Sequence, residues 1–137
     1  MKTLNVKNLL SLGLVTALLL TFSISFASTG SKAEEKAREA VENAAPDDWH
    51  TLAESAEKLM RNKKNLKEAN EWIDRSIEIK ETAYNHTLKG DYFQAVKMPE
   101  KALKYYVKAM QLAQEENKDA DLSSIQQKVA AITGIGG

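Results

Sequence analysis

The chain contains no cysteine, only two prolines and six glycines, and one long hydrophobic run, confined to its first 27 residues. Without cysteine there is no disulfide, no thiol nucleophile and no cysteine-based zinc site, so packing alone must hold the fold. Aromatics are sparse, with three Phe, two Trp and four Tyr, and neither sign of charge is in excess, at 19 basic against 19 acidic residues. That balance excludes a disordered acidic tail and a basic protein that coats nucleic acid. Gly90 stands alone and Gly134, Gly136 and Gly137 fall at the end, so there is no glycine-rich phosphate loop. No segment alternates apolar and polar residues with β-branched enrichment, which leaves an all-α chain.

The early run has the three-part plan of a secretory signal peptide. Lys2 and Lys7 form a basic head, Leu9 to Phe26 is uncharged and mostly apolar, and Ser25-Phe26-Ala27 supplies the small-x-small pattern of a cleavage site. Cleavage is expected after Ala27, with export to a periplasm or the extracellular space. Ser11, Thr16, Thr21, Ser23 and Ser25 dilute the run below a strong membrane anchor, which needs about 20 apolar residues. The membrane is therefore met only through this segment if it stays uncleaved, and no cysteine is present for lipid attachment. Removing residues 1–27 takes two lysines and no acid, leaving 17 basic against 19 acidic residues and a mature charge of about −2.

In the remaining 110 residues the apolar side chains recur at helical spacing. After a polar leader, Lys32 to Ala45 reads as an alanine-striped helix, a loosely docked cap or partly frayed, with Glu34 and Arg38 spaced for an i,i+4 pair. Pro46-Asp47-Asp48 breaks it and offers an N-cap. Trp49, Leu52, Ala53, Ala56, Leu59 and Met60 mark a second helix, and Leu66, Ala69, Trp72, Ile73 and Ile77 a third. A fourth helix spans Ala83 to Val96. Pro99 suits the first turn of the fifth, which carries Ala102, Leu103, Tyr106, Val107, Ala109 and Met110. Leu122 to Ile132 is a last helix, with Gly134 as its C-cap.

At an offset of 33, Ala69-x-x-Trp72-Ile73-x-x-Ser76-Ile77 superposes on Ala102-x-x-Tyr105-Tyr106-x-x-Ala109-Met110. Repeats of this period mark stacked helical hairpins. On these residues the chain resembles the tetratricopeptide repeat (TPR) family. Gly90, Ala102 and Ala109 fall where that family has small residues and Tyr106 where it has an aromatic. Trp49, Leu52 and Ala53 match its Trp-x-x-Leu-Gly opening, with Ala for Gly. The chain departs where Ser76 replaces an alanine and His86 an aromatic, and where Trp49 to Ala69 exceeds the family's spacing by four residues, assigned to Arg61 to Asn65. Trp49 to Lys80 is also similar to the helical tail of uncharacterised exported bacterial proteins, on Trp72-Ile73-Asp74-x-Ser76-Ile77. The resemblance implies antiparallel hairpins, about 48–82 and 83–116, stacked as a short TPR-like superhelix within 48–133. Flanking helices at 28–47 and 121–133 would cap it, with homo-oligomerisation as the alternative to capping, and a flexible glycine-rich tail would occupy 134–137.

The family presents the first helix of each hairpin to a concave groove. By that resemblance the groove comprises His50, Glu54, Glu57 and Lys58, then Tyr84, Thr87, Asp91 and Gln94, a polar set with one aromatic that suits a protein or peptide partner in the cell envelope. A small helical bundle that binds a ligand or serves in envelope stress is the alternative. No catalytic residues are expected, since no nucleophile stands beside a base in a recognisable pattern. Neither cofactor nor metal is expected: His50 and Glu54 could supply two ligands, short of a zinc site, and both histidines read as exposed. Lys97, Lys101, Lys104 and Lys108 form a basic stripe, but an exported protein has little occasion to meet nucleic acid. Trp49, Trp72 and Tyr106 read as core, and Tyr92 and Tyr105 as exposed.

Overall fold

The structure, a computed structural model, describes residues 31–63 and 65–134. The signal-peptide reading and the tail beyond Gly134 lie outside the described residues. The fold is all-α, with six helices: α1 (Lys32–Asn43), α2 (Trp49–Arg61), α3 (Leu66–Ile79), α4 (Ala83–Ala95), α5 (Pro99–Glu116) and α6 (Ser123–Thr133). Among the described residues no helix is long and apolar enough to cross a membrane.

Local chemistry sets these boundaries. Asp48 caps α2 by accepting from the Thr51 N–H at 2.9 Å and the Thr51 hydroxyl at 2.7 Å, which holds the Asp48 carboxyl below its usual pKa. Thr82 and Asn85 form a reciprocal capping box that opens α4. Pro99 takes the first turn of α5, and Gly134 closes α6 in the left-handed conformation at φ 68°. Helix α1 stops at Asn43 rather than Ala45, because Ala44 is already extended and Pro46 disfavours helical geometry in the residue before it.

Small residues let the helices approach. Ala53, Ala56, Ala69, Ala102 and Ala109 are wholly buried. A Cβ at Gly90 would overlap the Tyr106 ring, so glycine is what seats that ring between α4 and α5. Leu52, Leu59, Trp72, Ile73 and Leu88 fill one apolar cluster. Tyr106 and Ile125 anchor a second with Phe93, Met110 and Val129 around them. Consecutive helices run antiparallel: near the end of α3, Ser76 donates from Oγ to the carbonyl of Trp49, the first residue of α2, at 2.7 Å.

Several expectations are corrected. Of the two alternatives for α1, a loosely docked cap or a frayed helix, the docked one holds, and the docking is not loose. Ala37 is buried against α2, Arg38 makes a two-pronged pair with Glu68 at 2.8 Å, and the Glu34 carboxylate accepts from Asn62 and Asn65. Glu34 thus serves the α2–α3 turn, and its charge also acts on Arg38 four residues on. His86 is buried, while Tyr92 and Tyr105 are half-buried, Tyr105 stacking on Phe93 at 5.3 Å. Trp49 is half-exposed beneath Lys80, whose Nζ stands 5.3 Å from the ring.

The register is corrected too. Helices α2 and α4 both have 13 residues, with caps Asp48 and Thr82, so they superpose at an offset of 34 and set Ala56 opposite Gly90. Helices α3 and α5 begin at Leu66 and Pro99, an offset of 33. The first connector, residues 62–65, is therefore one residue longer than the second, residues 96–98. The reading anchored on Trp49 went astray because a helix's first residue can hold an indole half outside the core.

Candidate functional site

Helices α2 and α4 pack side by side and border a cavity of about 510 Å3, lined by Glu57, Met60, Arg61, Lys63, Asp91, Gln94, Ala95 and Lys97. Two carboxylates hold its walls. Glu57 accepts from the Tyr84 hydroxyl at 2.7 Å and from Arg61 at 3.0 Å. The phenol's hydrogen bond, and then Arg61, keep the Glu57 carboxyl below its usual pKa. Burial, reinforced by Glu57, pushes the Tyr84 phenol well above its ordinary value. Asp91 repeats the device one hairpin on, accepting from the Tyr106 hydroxyl at 2.6 Å and from Lys128 of α6 at 2.7 Å. Burial and then Asp91 push the Tyr106 phenol up likewise. Both carboxylates are thus hydrogen-bonded and matched by a cation before any ligand arrives.

Of the eight residues expected in the groove, Glu57, Asp91 and Gln94 line this cavity, and Tyr84 is tied to it through Glu57. His50 and Glu54 lie nearer the start of α2. The His50 ring sits 6.1 Å from that of Tyr84, and its Nδ1 is 3.9 Å from Glu54. Lys58 is exposed on α2, and the Thr87 hydroxyl is turned back onto the Ala83 carbonyl at 2.7 Å. Sequence reasoning missed Met60, Arg61, Lys63, Ala95 and Lys97. The offset of 34 was the available signal, since it pairs Glu57 with Asp91 and Lys63 with Lys97.

The other candidates stand apart. His86 is held at Nε2 by Glu81 at 3.2 Å, while its Nδ1 is buried with no hydrogen-bond partner. Burial lowers its pKa more than Glu81 raises it. In the basic stripe, Lys101 lies 5.4 Å over the Phe93 ring, Lys108 is 4.0 Å from Glu81, and Lys97 belongs to the cavity rim. Among the described residues no three His, Asp or Glu side chains gather as ligands of a metal ion would. Protein-family models, curated proteins and solved structures alike give no match to the chain.

Proposed function

We propose that the chain is a TPR-like, non-catalytic interaction module, exported to the periplasm or extracellular space, that holds a peptide segment of an envelope protein in the groove along α2 and α4. The observation that carries this reading is the pair of helices in matching register, bordering one cavity whose polar walls are already hydrogen-bonded. A wall fixed in advance loses little side-chain entropy when a peptide binds. Met60 and Ala95 offer apolar contact, and Gln94 offers an amide with no side-chain hydrogen bond among the described residues. The export half of the proposal rests on the basic head, apolar run and small-x-small pattern of residues 1–27.

The test is site-specific cross-linking in the native envelope. A photo-reactive residue at Gln94 should trap one partner through a defined peptide, whereas the same group at Gln127, on the exposed face of α6, should not. Equal trapping from both positions would sink the groove reading. A mature N-terminus other than Ser28 in the exported protein would revise the processing site.

A further inference from the structure

Lys63 and Lys97 are the only non-glycine residues with positive φ among those described, at 52° and 62°. A side chain in this left-handed region crowds its own carbonyl, and glycine or asparagine normally fills such a position just past a helix end. Here the two stand at the same place relative to α2 and α4, 34 residues apart, and both line the one cavity. Attraction to the helix dipole accounts for a cation after α4, whose last turn has no basic residue. It does not account for Lys63, because α2 already ends in Lys58 and Arg61. Neither lysine is hydrogen-bonded or ion-paired by its side chain among the described residues. The cavity carboxylates are already matched, Glu57 by Arg61 and Asp91 by Lys128, so these two charges are in excess.

We propose that Lys63 and Lys97 form an anion subsite at the turn end of the groove that receives a carboxylate of the bound peptide, the two strained backbones being kept because they present both ammonium groups to one cavity. This rests on the peptide-groove reading and narrows it to peptides with an acidic side chain or free terminus at that end. Three fluorescein-labelled probes separate the sources: hexaglutamate with an amidated C-terminus, hexaalanine with a free carboxylate, and hexaalanine amide. Binding of the first assigns side-chain carboxylates and binding of the second a chain terminus. Either should weaken as salt rises from 50 to about 300 mM.

The variants are Lys63→Gly with Lys97→Gly, and Lys63→Gln with Lys97→Gln. Both pairs should raise the Kd of the bound probe by about tenfold or more, as expected for losing hydrogen bonds to a charged group. Only the glycine pair should also raise Tm, by a few degrees, because it relieves the left-handed strain. Unchanged affinity in the glycine pair, or equal binding of hexaalanine amide, overturns the subsite. If cross-linking at Gln94 still traps a peptide whose binding ignores both lysines, the groove reading stands and this inference alone falls.

Discussion

At the scale of single residues, the chain depends on a few positions where a polar or minimal side chain sits inside. Gly90 and Tyr106 are one pair: the ring occupies the space a Cβ would take. Each position was legible by itself, a lone glycine in a helical run and an aromatic between two alanines, but their contact was not, because it joins two helices. His86 was not, because a histidine in an amphipathic run reads as surface unless its neighbours are known. Tyr105 covers one side of the imidazole, Glu81 binds Nε2, and Lys108 lies beyond Glu81. Burial holds the folded pKa below the ordinary 6.5, so between the two values the unfolded chain binds the proton more readily. Stability should therefore be level above pH 7 and fall as pH drops through 6.5 toward the folded value. The Glu57 carboxyl acts in a separate window, its contribution being lost only as pH falls below its usual 4.5. Urea unfolding between pH 7.5 and 5 should show the first decline in the native chain and a flat profile in His86→Phe. An unchanged slope in the variant would assign the decline to another group.

At the scale of elements, α4 is the least amphipathic helix and the most enclosed among those described, since none of its residues is exposed and Asn85, His86, Leu88, Lys89 and Gly90 are buried. A helix placed between α2, α3 and α5 has no broad solvent face to receive its polar residues, so they are satisfied across helices. Asn85 donates to Ser76 Oγ at 3.1 Å and to the Lys80 carbonyl at 2.7 Å. Ser76, which reads as a departure from an alanine pattern, is thus the junction between the hairpins. Lys89 reaches Asp74 at 2.5 Å and Asn70 at 2.6 Å, with its Nζ over the rings of Tyr92 and Phe93 at 5.5 and 5.4 Å. Such links join residues 5 to 19 positions apart that share no periodic pattern, which is why helix boundaries could be read and inter-helix bonds could not. Breaking one side of the pair should cost more than replacing the buried charge. Asp74→Ala should lose about 2 kcal/mol, below the range for fully buried pairs because Asp74 is half-exposed and Asn70 remains. Lys89→Met, which keeps the stem and removes the ammonium, should stay within about 1 kcal/mol of the native chain. The check is equilibrium denaturation of both variants, and the reverse order would show that the charge itself sustains the hairpin contact.

At the scale of the whole molecule, the two apolar clusters divide the labour of the flanking helices. Helix α1 adds Ala37 and Val41 to the cluster of α2, α3 and Leu88, while α6 adds Ile125, Val129 and Ile132 to the cluster around Tyr106. Helix α6 also brings Lys128 to Asp91, so it reaches the cavity wall that the sequence assigned to α2 and α4 alone. The contribution was hidden because Lys128 and Asp91 are 37 residues apart and Lys128 lies outside the repeated positions. Ending the chain after Asn117 should therefore act locally. Tyr106 and Ala109 lose their cover, Asp91 loses its cation, and the removal of a core Ile alone costs about 3 kcal/mol. Amide hydrogen exchange should show protection lost first in α5 and the end of α4, with α2 and α3 closer to native, because Ala37, Leu52, Leu59, Trp72 and Ile73 of their cluster and the Arg38–Glu68 pair do not depend on α6. A uniform loss across all four helices would mean that the clusters unfold as one unit. Native-like protection in α5 would mean that α6 covers the end of the fold without stabilising it.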